Sequence, residues 1–365
     1  MASRLLIDRR EFVKAAGLAF LGGLAPKAAF ALSQADAVYA SGFRAPDGSF
    51  GIATISERGE IIDRSGLPDR GHGLAYSPAA NRIAVFARRP GTYIMVIDRA
   101  MREKPVVITS VADRHFYGHG AFSPDGRFLY ASENDFANAH GMIGVYDGNE
   151  GYRRVAEYQT YGIGPHDLTV TPDGRTLVVA NGGIETHPDF GRTKLNLDHM
   201  EPSITLVDAS DGRLIEKHGL PRQLSQLSTR HLAIAGDGRI WFACQYEGPR
   251  NDLPPLAGFL NKGEPLTFVD LPDETTVALA NYVGAIAVND RDGLVGLTSP
   301  KGGKLVSIDQ DTGQVVAETD IPDAAGIADA THGFAVSSYS GQLAETRSRV
   351  NWDQHLVRVK VAGAG

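Results

Sequence analysis

The chain has 365 residues, 36 Lys+Arg against 43 Asp+Glu, a net charge of −7, and a single cysteine, Cys244. An acidic chain without a basic stripe argues against nucleic acid as a partner. One cysteine excludes an intramolecular disulfide, and with no Cys-x-x-Cys-His there is no covalently attached haem.

The first thirty residues read as an export signal. Arg9-Arg10 is followed by Phe12 and Lys14, then by the Ala/Gly-rich apolar run 15–25 and the small-x-small triplet Ala29-Phe30-Ala31. That run is short of the ~20 residues a membrane-spanning helix needs. The order of charged, apolar and cleavage regions predicts a twin-arginine signal peptide over residues 1–31, export in the folded state to the bacterial periplasm, and a mature domain of residues 32–365. Cleavage after Ala31 leaves 31 Lys+Arg and 41 Asp+Glu, a net charge of −10. No later apolar run is long enough to span a membrane.

Past the signal, helical periodicity is nearly absent. Short β-branched and aromatic runs recur between Asp-Gly and Pro-Asp-Gly turns. The segments starting at Gly71-His72-Gly73, Gly118-His119-Gly120, Pro165-His166-Asp167 and Arg230-His231-Leu232 repeat one another, and weaker copies start at Gly284 and Gly326. Starts 47, 47, 65, 54 and 42 residues apart match the ~40–50-residue blades of a propeller. Residues 36–65 and the C-terminal run from Leu356 supply further strands, read as one closing blade shared between the two ends. The predicted fold is therefore all-β, a single seven-bladed β-propeller, with six blades as the alternative. Residues 185–201 break the period as a long polar insertion, the kind that maps to a loop on one face.

Strand A is the innermost of a blade, so its start lies at one mouth of the central channel, and the antiparallel strand B returns there. This gathers His72, His119, His166 and His231 as candidate metal ligands. Around them stand Arg88, Arg89, Glu133, Asn134, Asp135, Asn181, Arg230, Gln245 and Lys301, with His187 in the insertion above. Neutral imidazoles suit iron, copper or zinc, acidic and amide oxygens suit calcium, and Arg88-Arg89 is suited to an anion by bidentate contacts. A histidine in this place also has a purely structural use, bonding a Ser, Thr or Asp of its own blade. The remaining loop histidines, His115, His140 and His199, are expected to be solvated, and Cys244 to be a buried small hydrophobe. No Gly-x-Ser-x-Gly elbow, phosphate loop or dinucleotide fingerprint is present, so no nucleotide cofactor is expected.

The runs Arg70-Gly71-His72-Gly73, Tyr117-Gly118-His119-Gly120, Ser132-Glu133-Asn134-Asp135, Asn181-Gly182-Gly183-Ile184-Glu185-Thr186-His187-Pro188 and Trp352-Asp353-Gln354-His355-Leu356 together resemble an exported propeller family, the domain-of-unknown-function family fifteen-thirteen. The resemblance covers residues 36–361. It implies an export signal, a propeller and no established activity, and its members are often encoded beside imelysin-type proteins, implying periplasmic iron or copper handling with such proteins as partners. Three readings stay open: a metal- or anion-binding protein, a metal-dependent lactonase or oxidase, and a protein-interaction scaffold using the insertion. A monomer is expected. Because the copies at Gly284 and Gly326 lack histidine, the imidazole cluster is expected to be one-sided.

Overall fold

The computed structural model describes residues 38–99 and 103–359; the expected signal peptide and its cleavage site lie outside them. The described strands form seven four-stranded sheets, so seven blades is the count. Blade one joins both ends of the chain: its inner strand, Asn351–Val359, pairs antiparallel with Val38–Arg44, from Val38 opposite Val359 to Phe43 opposite Trp352. Blades two to seven follow in chain order. Their inner strands are Gly71–Ser77, Arg114–Phe122, Pro165–Val170, Leu227–Ile234, Ala285–Asn289 and Ala324–Asp329. Closure by a strand from the opposite end of the chain leaves no free inner edge.

The strand patterns follow from position in the blade. Middle strands such as Thr176–Asn181 and Tyr93–Asp98 are buried along their whole length, because both faces meet a neighbouring blade. They read as continuous apolar runs for that reason. The outer strand Arg153–Gln159 alternates exposed and half-buried residues. Between blades the contacts are aromatic and aliphatic. Val178, Ile204, Trp241, Phe242, Val295 and Val306 belong to one cluster that runs through blades four, five and six.

The Pro-Asp-Gly turns are self-supporting. Thr171 donates its hydroxyl to Asp173 Oδ1 at 2.6 Å, the same oxygen accepts the Arg175 N–H at 3.0 Å, and Gly174 takes φ +73°. An L side chain would be strained there. The insertion is pinned down rather than free: Asn196 is fully buried, accepts the Glu185 N–H at 2.7 Å and donates to the Gly183 carbonyl at 2.9 Å. Among the described residues no helix is long and apolar enough to cross a membrane.

Candidate metal centre

The inner strands do not run evenly to the channel mouth. In blade two the pairing shifts between Gly71 and Leu74, in blade three between Phe116 and Gly120, in blade four between Pro165 and Asp167, and in blade five between Thr229 and His231. In blade one it shifts across 353–355. Each is a bulge, which bends the strand and re-aims a side chain. Every axial histidine lies in or next to one.

Glycine makes the close approach possible. A Cβ on Gly73 would sit 2.4 Å from the Gly118 carbonyl oxygen, and one on Gly118, whose φ is +107°, would sit 2.7 Å from His72 Cδ2. The Gly-His-Gly motif thus lets two neighbouring inner strands touch.

Five imidazoles meet on the axis. His72, His119, His166 and His231 come together as expected, and the fifth is His355, on the C-terminal strand of blade one. Ring centroids lie 4.8 Å apart for His72–His119, 4.9 Å for His119–His166, 4.9 Å for His166–His231 and 5.1 Å for His231–His355. His119 and His355 are 4.6 Å apart, and His355 and His72 4.8 Å. The blades that start at Gly284 and Gly326 supply no imidazole, as expected; the closing blade adds a fifth ring next to His72. Two groups of three offer ligand atoms within 4.8 Å of one another, His72/His119/His166 and His119/His231/His355.

The hydrogen bonds separate the two groups. His119 Nδ1 faces Asp167 Oδ1 at 3.3 Å. Asp167 is fixed by the Leu168 N–H on Oδ1 at 2.8 Å and the Leu232 N–H on Oδ2 at 2.9 Å. A carboxylate so placed accepts the Nδ1 proton and leaves the His119 Nε2 lone pair free. That nitrogen is buried and has no partner, and so are His231 Nε2 and His355 Nε2. His166 is the opposite case. Its Nδ1 lies 3.2 Å from Arg230 Nη1; a guanidinium only donates, so the proton of neutral His166 resides on Nε2. The group His119/His231/His355 is therefore the better ligand set.

The electrostatics agree. Burial, followed by the charge of neighbouring groups, holds His72, His166 and His355 well below the usual imidazole range, and lowers His231 to about 3. These rings are neutral, the state a metal requires. Burial opposes the charge of Asp167, but His119, His231 and the Leu232 N–H outweigh it and lower its pKa. Below the rings lies a cavity of about 350 Å³, lined by His119, Asp167, His231 and His355 and by inner-strand residues such as Leu74 and Ile327. It leaves room for a further ligand on a bound ion.

None of the five rings bonds a Ser, Thr or Asp of its own blade, the structural use considered above. The bonds of His119 and His166 cross to the next blade, and hydroxyls serve the bulged backbone instead: Ser132 Oγ donates to the His119 carbonyl at 3.0 Å and Ser41 Oγ to the His355 carbonyl at 2.8 Å.

The oxygen-bearing candidates do not join the rings. Glu133 is buried inside blade three, accepting from the Tyr146 hydroxyl at 2.6 Å and from Arg154 Nη2 at 2.7 Å. Asn134 donates to the Thr186 carbonyl at 3.1 Å and contacts His115 Nε2 at 3.1 Å. Asp135 pairs with Arg114 at 3.2 Å, and Asn181 donates to Thr160 O and Thr205 Oγ1. Gln245 donates to the Val283 carbonyl at 3.1 Å. The calcium-type set suggested by these residue types is thus spent on cross-strand and loop contacts.

His115 is not solvated: it is buried at the start of the blade-three inner strand, stacked on Tyr117 and Phe136, and burial lowers it to about 4. His140 and His199 are exposed as expected. His187 accepts the Asp189 N–H at 3.2 Å and stands edge-on to Phe136. Arg88 borders a cavity with Arg70 and Asp353, Arg89 lies over the Tyr117 ring, Arg230 contacts His166, and Lys301 lies over the Tyr282 ring. Cys244 is fully buried, and burial pushes its thiol up.

Sequence reasoning missed His355 and Asp167. The signal for His355 was the dipeptide His355-Leu356, which repeats His231-Leu232. It stood in a strand not recognised as an inner strand.

Fold and site together define a class: a seven-bladed propeller whose inner-strand bulges aim histidines at the axis. The family model described as "Protein of unknown function (DUF1513)" matches residues 65–359, and the chain belongs to that family. No curated protein matches the sequence. Among solved structures, the chain is similar to Kuenenia stuttgartiensis hydrazine synthase at 16% identity and TM-score 0.62, covering 83% of this chain and 94% of that one. It is also similar to the β-propeller domain of Myceliophteria thermophila Cps50 (Swd1), at 11% identity and TM-score 0.57, covering 80% and 89%. At such identities the likeness is one of fold.

Proposed function

We propose that this propeller binds a transition metal ion on its axis, with His119, His231 and His355 as ligands and Asp167 orienting His119. The observation that carries the reading is the buried, unpartnered Nε2 of His119, His231 and His355, one from each of three blades, beside a cavity; His72 Nδ1 and His166 Nε2 are also unpartnered, but the latter carries its ring's proton and neither ring lines that cavity. Three imidazoles with one open position form a donor set used for zinc, copper and iron. An ion about 2.0–2.1 Å from each nitrogen needs donors about 3.4 Å apart, so the rings draw in by up to about 1.4 Å on binding. His72 and His166 pack against this set.

The work of the protein is then periplasmic iron or copper handling. The twin-arginine pattern of residues 1–31 supports export after folding, and the family resemblance supports an uptake role beside imelysin-like partners. The test is elemental analysis and metal titration of the mature protein. One equivalent of metal is expected, lost in His119→Ala and His355→Ala. Binding by His166→Ala is expected to stay within about tenfold of the parent. A mature protein that takes up no copper, iron or zinc overturns the reading.

A further inference from the structure

The upper mouth of the channel is built from cations. Arg88 and Arg89 follow the second strand of blade two, Arg230 precedes His231, and Arg192 reaches in from the insertion. Arg230 and Arg89 are buried, at 4% and 8% exposure. The Nε atoms of Arg88 and Arg230 are buried without a hydrogen-bond partner. Arg89 lies over the Tyr117 ring with Cζ 5.7 Å from its centroid, and Lys301 stands 4.2 Å from the centroid of Tyr282.

Few carboxylates answer these charges. Glu247 reaches Arg230 only at 3.7 Å and is shared with Lys194. Asp353 is forked by Arg70 at 2.8 and 2.9 Å. Among the described residues Arg88, Arg89 and Arg192 donate no side-chain hydrogen bond to any carboxylate. Of these arginines Arg88 alone lines a cavity of about 310 Å³, together with Arg44, Arg70, Tyr339, Trp352 and Asp353. The guanidinia also feel one another. Burial and then Arg70 lower Arg88, burial and then Arg89 lower Arg230, and burial followed by Arg88 and Arg89 lowers Arg192 to about 10. Arg192 is solvent-exposed by area, yet it sits in a crowded mouth among like charges.

Four converging guanidinia in a chain of net charge −7 cost free energy unless an anion occupies the space between them. Their planar forks match carboxylate and phosphate oxygens.

We infer that this mouth is an anion subsite: Arg88, Arg89, Arg192 and Arg230 hold a small ligand carrying two or more carboxylate or phosphate groups, directly over the histidine ring. The link between the two sites is Arg230, which contacts His166 at 3.2 Å. A polyanion with a metal-binding donor would lie across both. The subsite rests on the arginines and stands whether or not the rings bind metal.

The test is calorimetric titration of metal-free mature protein with citrate and, separately, with pyrophosphate, against acetate as the monovalent control. Citrate or pyrophosphate is expected to bind at least tenfold more tightly than acetate, with affinity falling as salt rises. Arg192→Ala, on an exposed loop, is expected to weaken binding about tenfold, and Arg89→Gln by at least as much. The titration uses metal-free protein, which separates this site from the metal centre. Binding of both polyanions no tighter than acetate overturns the proposal. So does polyanion binding that a folded Arg192→Ala protein keeps in full.

Discussion

Replacing Asp167 by Asn changes one atom and tests the metal centre sharply. The carboxylate takes three donors: His119 Nδ1 at 3.3 Å, Leu168 N–H at 2.8 Å and Leu232 N–H at 2.9 Å. An amide has one accepting oxygen. If that oxygen faces Leu168 and His119, the NH₂ group opposes the Leu232 N–H, and a buried donor is orphaned at about 1–3 kcal/mol. If the amide is turned the other way, the NH₂ faces His119, whose Nδ1 must then accept. The imidazole proton moves to Nε2 and blocks the nitrogen that holds the metal. Loss of such an orienting partner typically weakens metal binding 10–100-fold, about 1.4–2.7 kcal/mol. Competition titration with a chromophoric chelator reads this directly, and calorimetric melting of the metal-free protein reads the stability cost. A folded Asp167→Asn protein with parental metal affinity would refute the assignment of Asp167 and, with it, the preference for His119/His231/His355.

Three further outcomes follow from the same geometry. In the metal-free protein His72, His166, His231 and His355 have depressed pKa values. The unfolded chain therefore binds more protons below pH 6.5, and stability is full above that value and falls as pH drops. Between pH 7.5 and 5.5 the four rings together should lose on the order of 5 kcal/mol, and denaturant unfolding at the two pH values should show it; equal stability at both would contradict burial of neutral rings. Gly73→Ala places a Cβ 2.4 Å from a backbone oxygen and should cost about 1–3 kcal/mol, with metal affinity reduced because two inner strands are pushed apart; an unchanged melting temperature would count against the close approach. Arg154→Met strands Glu133, which burial already raises against the pull of Arg154 and Tyr146, and should destabilise the fold by about 3 kcal/mol without altering metal binding, as melting and titration of one sample will tell.

The repeat made much of this protein legible before any coordinates. A blade is a local unit, so its turns, its strand order and a histidine at the head of an inner strand recur at a fixed period. Hence His72, His119, His166 and His231 could be grouped from spacing alone. The oxygen candidates Glu133, Asn134, Asp135 and Asn181 show the limit of that logic. Their strand ends were placed well, but which way each side chain turns depends on partners such as Arg154, Thr186 and Thr205. No period encodes those pairings.

Sequence by itself determined the all-β class, the propeller and four of the five axial histidines, because each follows from contacts within one blade; it left seven blades against six to the structure. Tertiary structure alone decided the rest. Ring closure carried His355 from the far end of the chain to the axis. Contacts between neighbouring blades set Asp167 on His119 and Arg230 on His166, and so decided which nitrogens are free. The insertion's own fold brought Arg192 over the mouth. The ring contacts of His119 with Asp167, His166 with Arg230 and His72 with His355 join residues 48, 64 and 283 positions apart, and only the closed ring of blades fixes their distance.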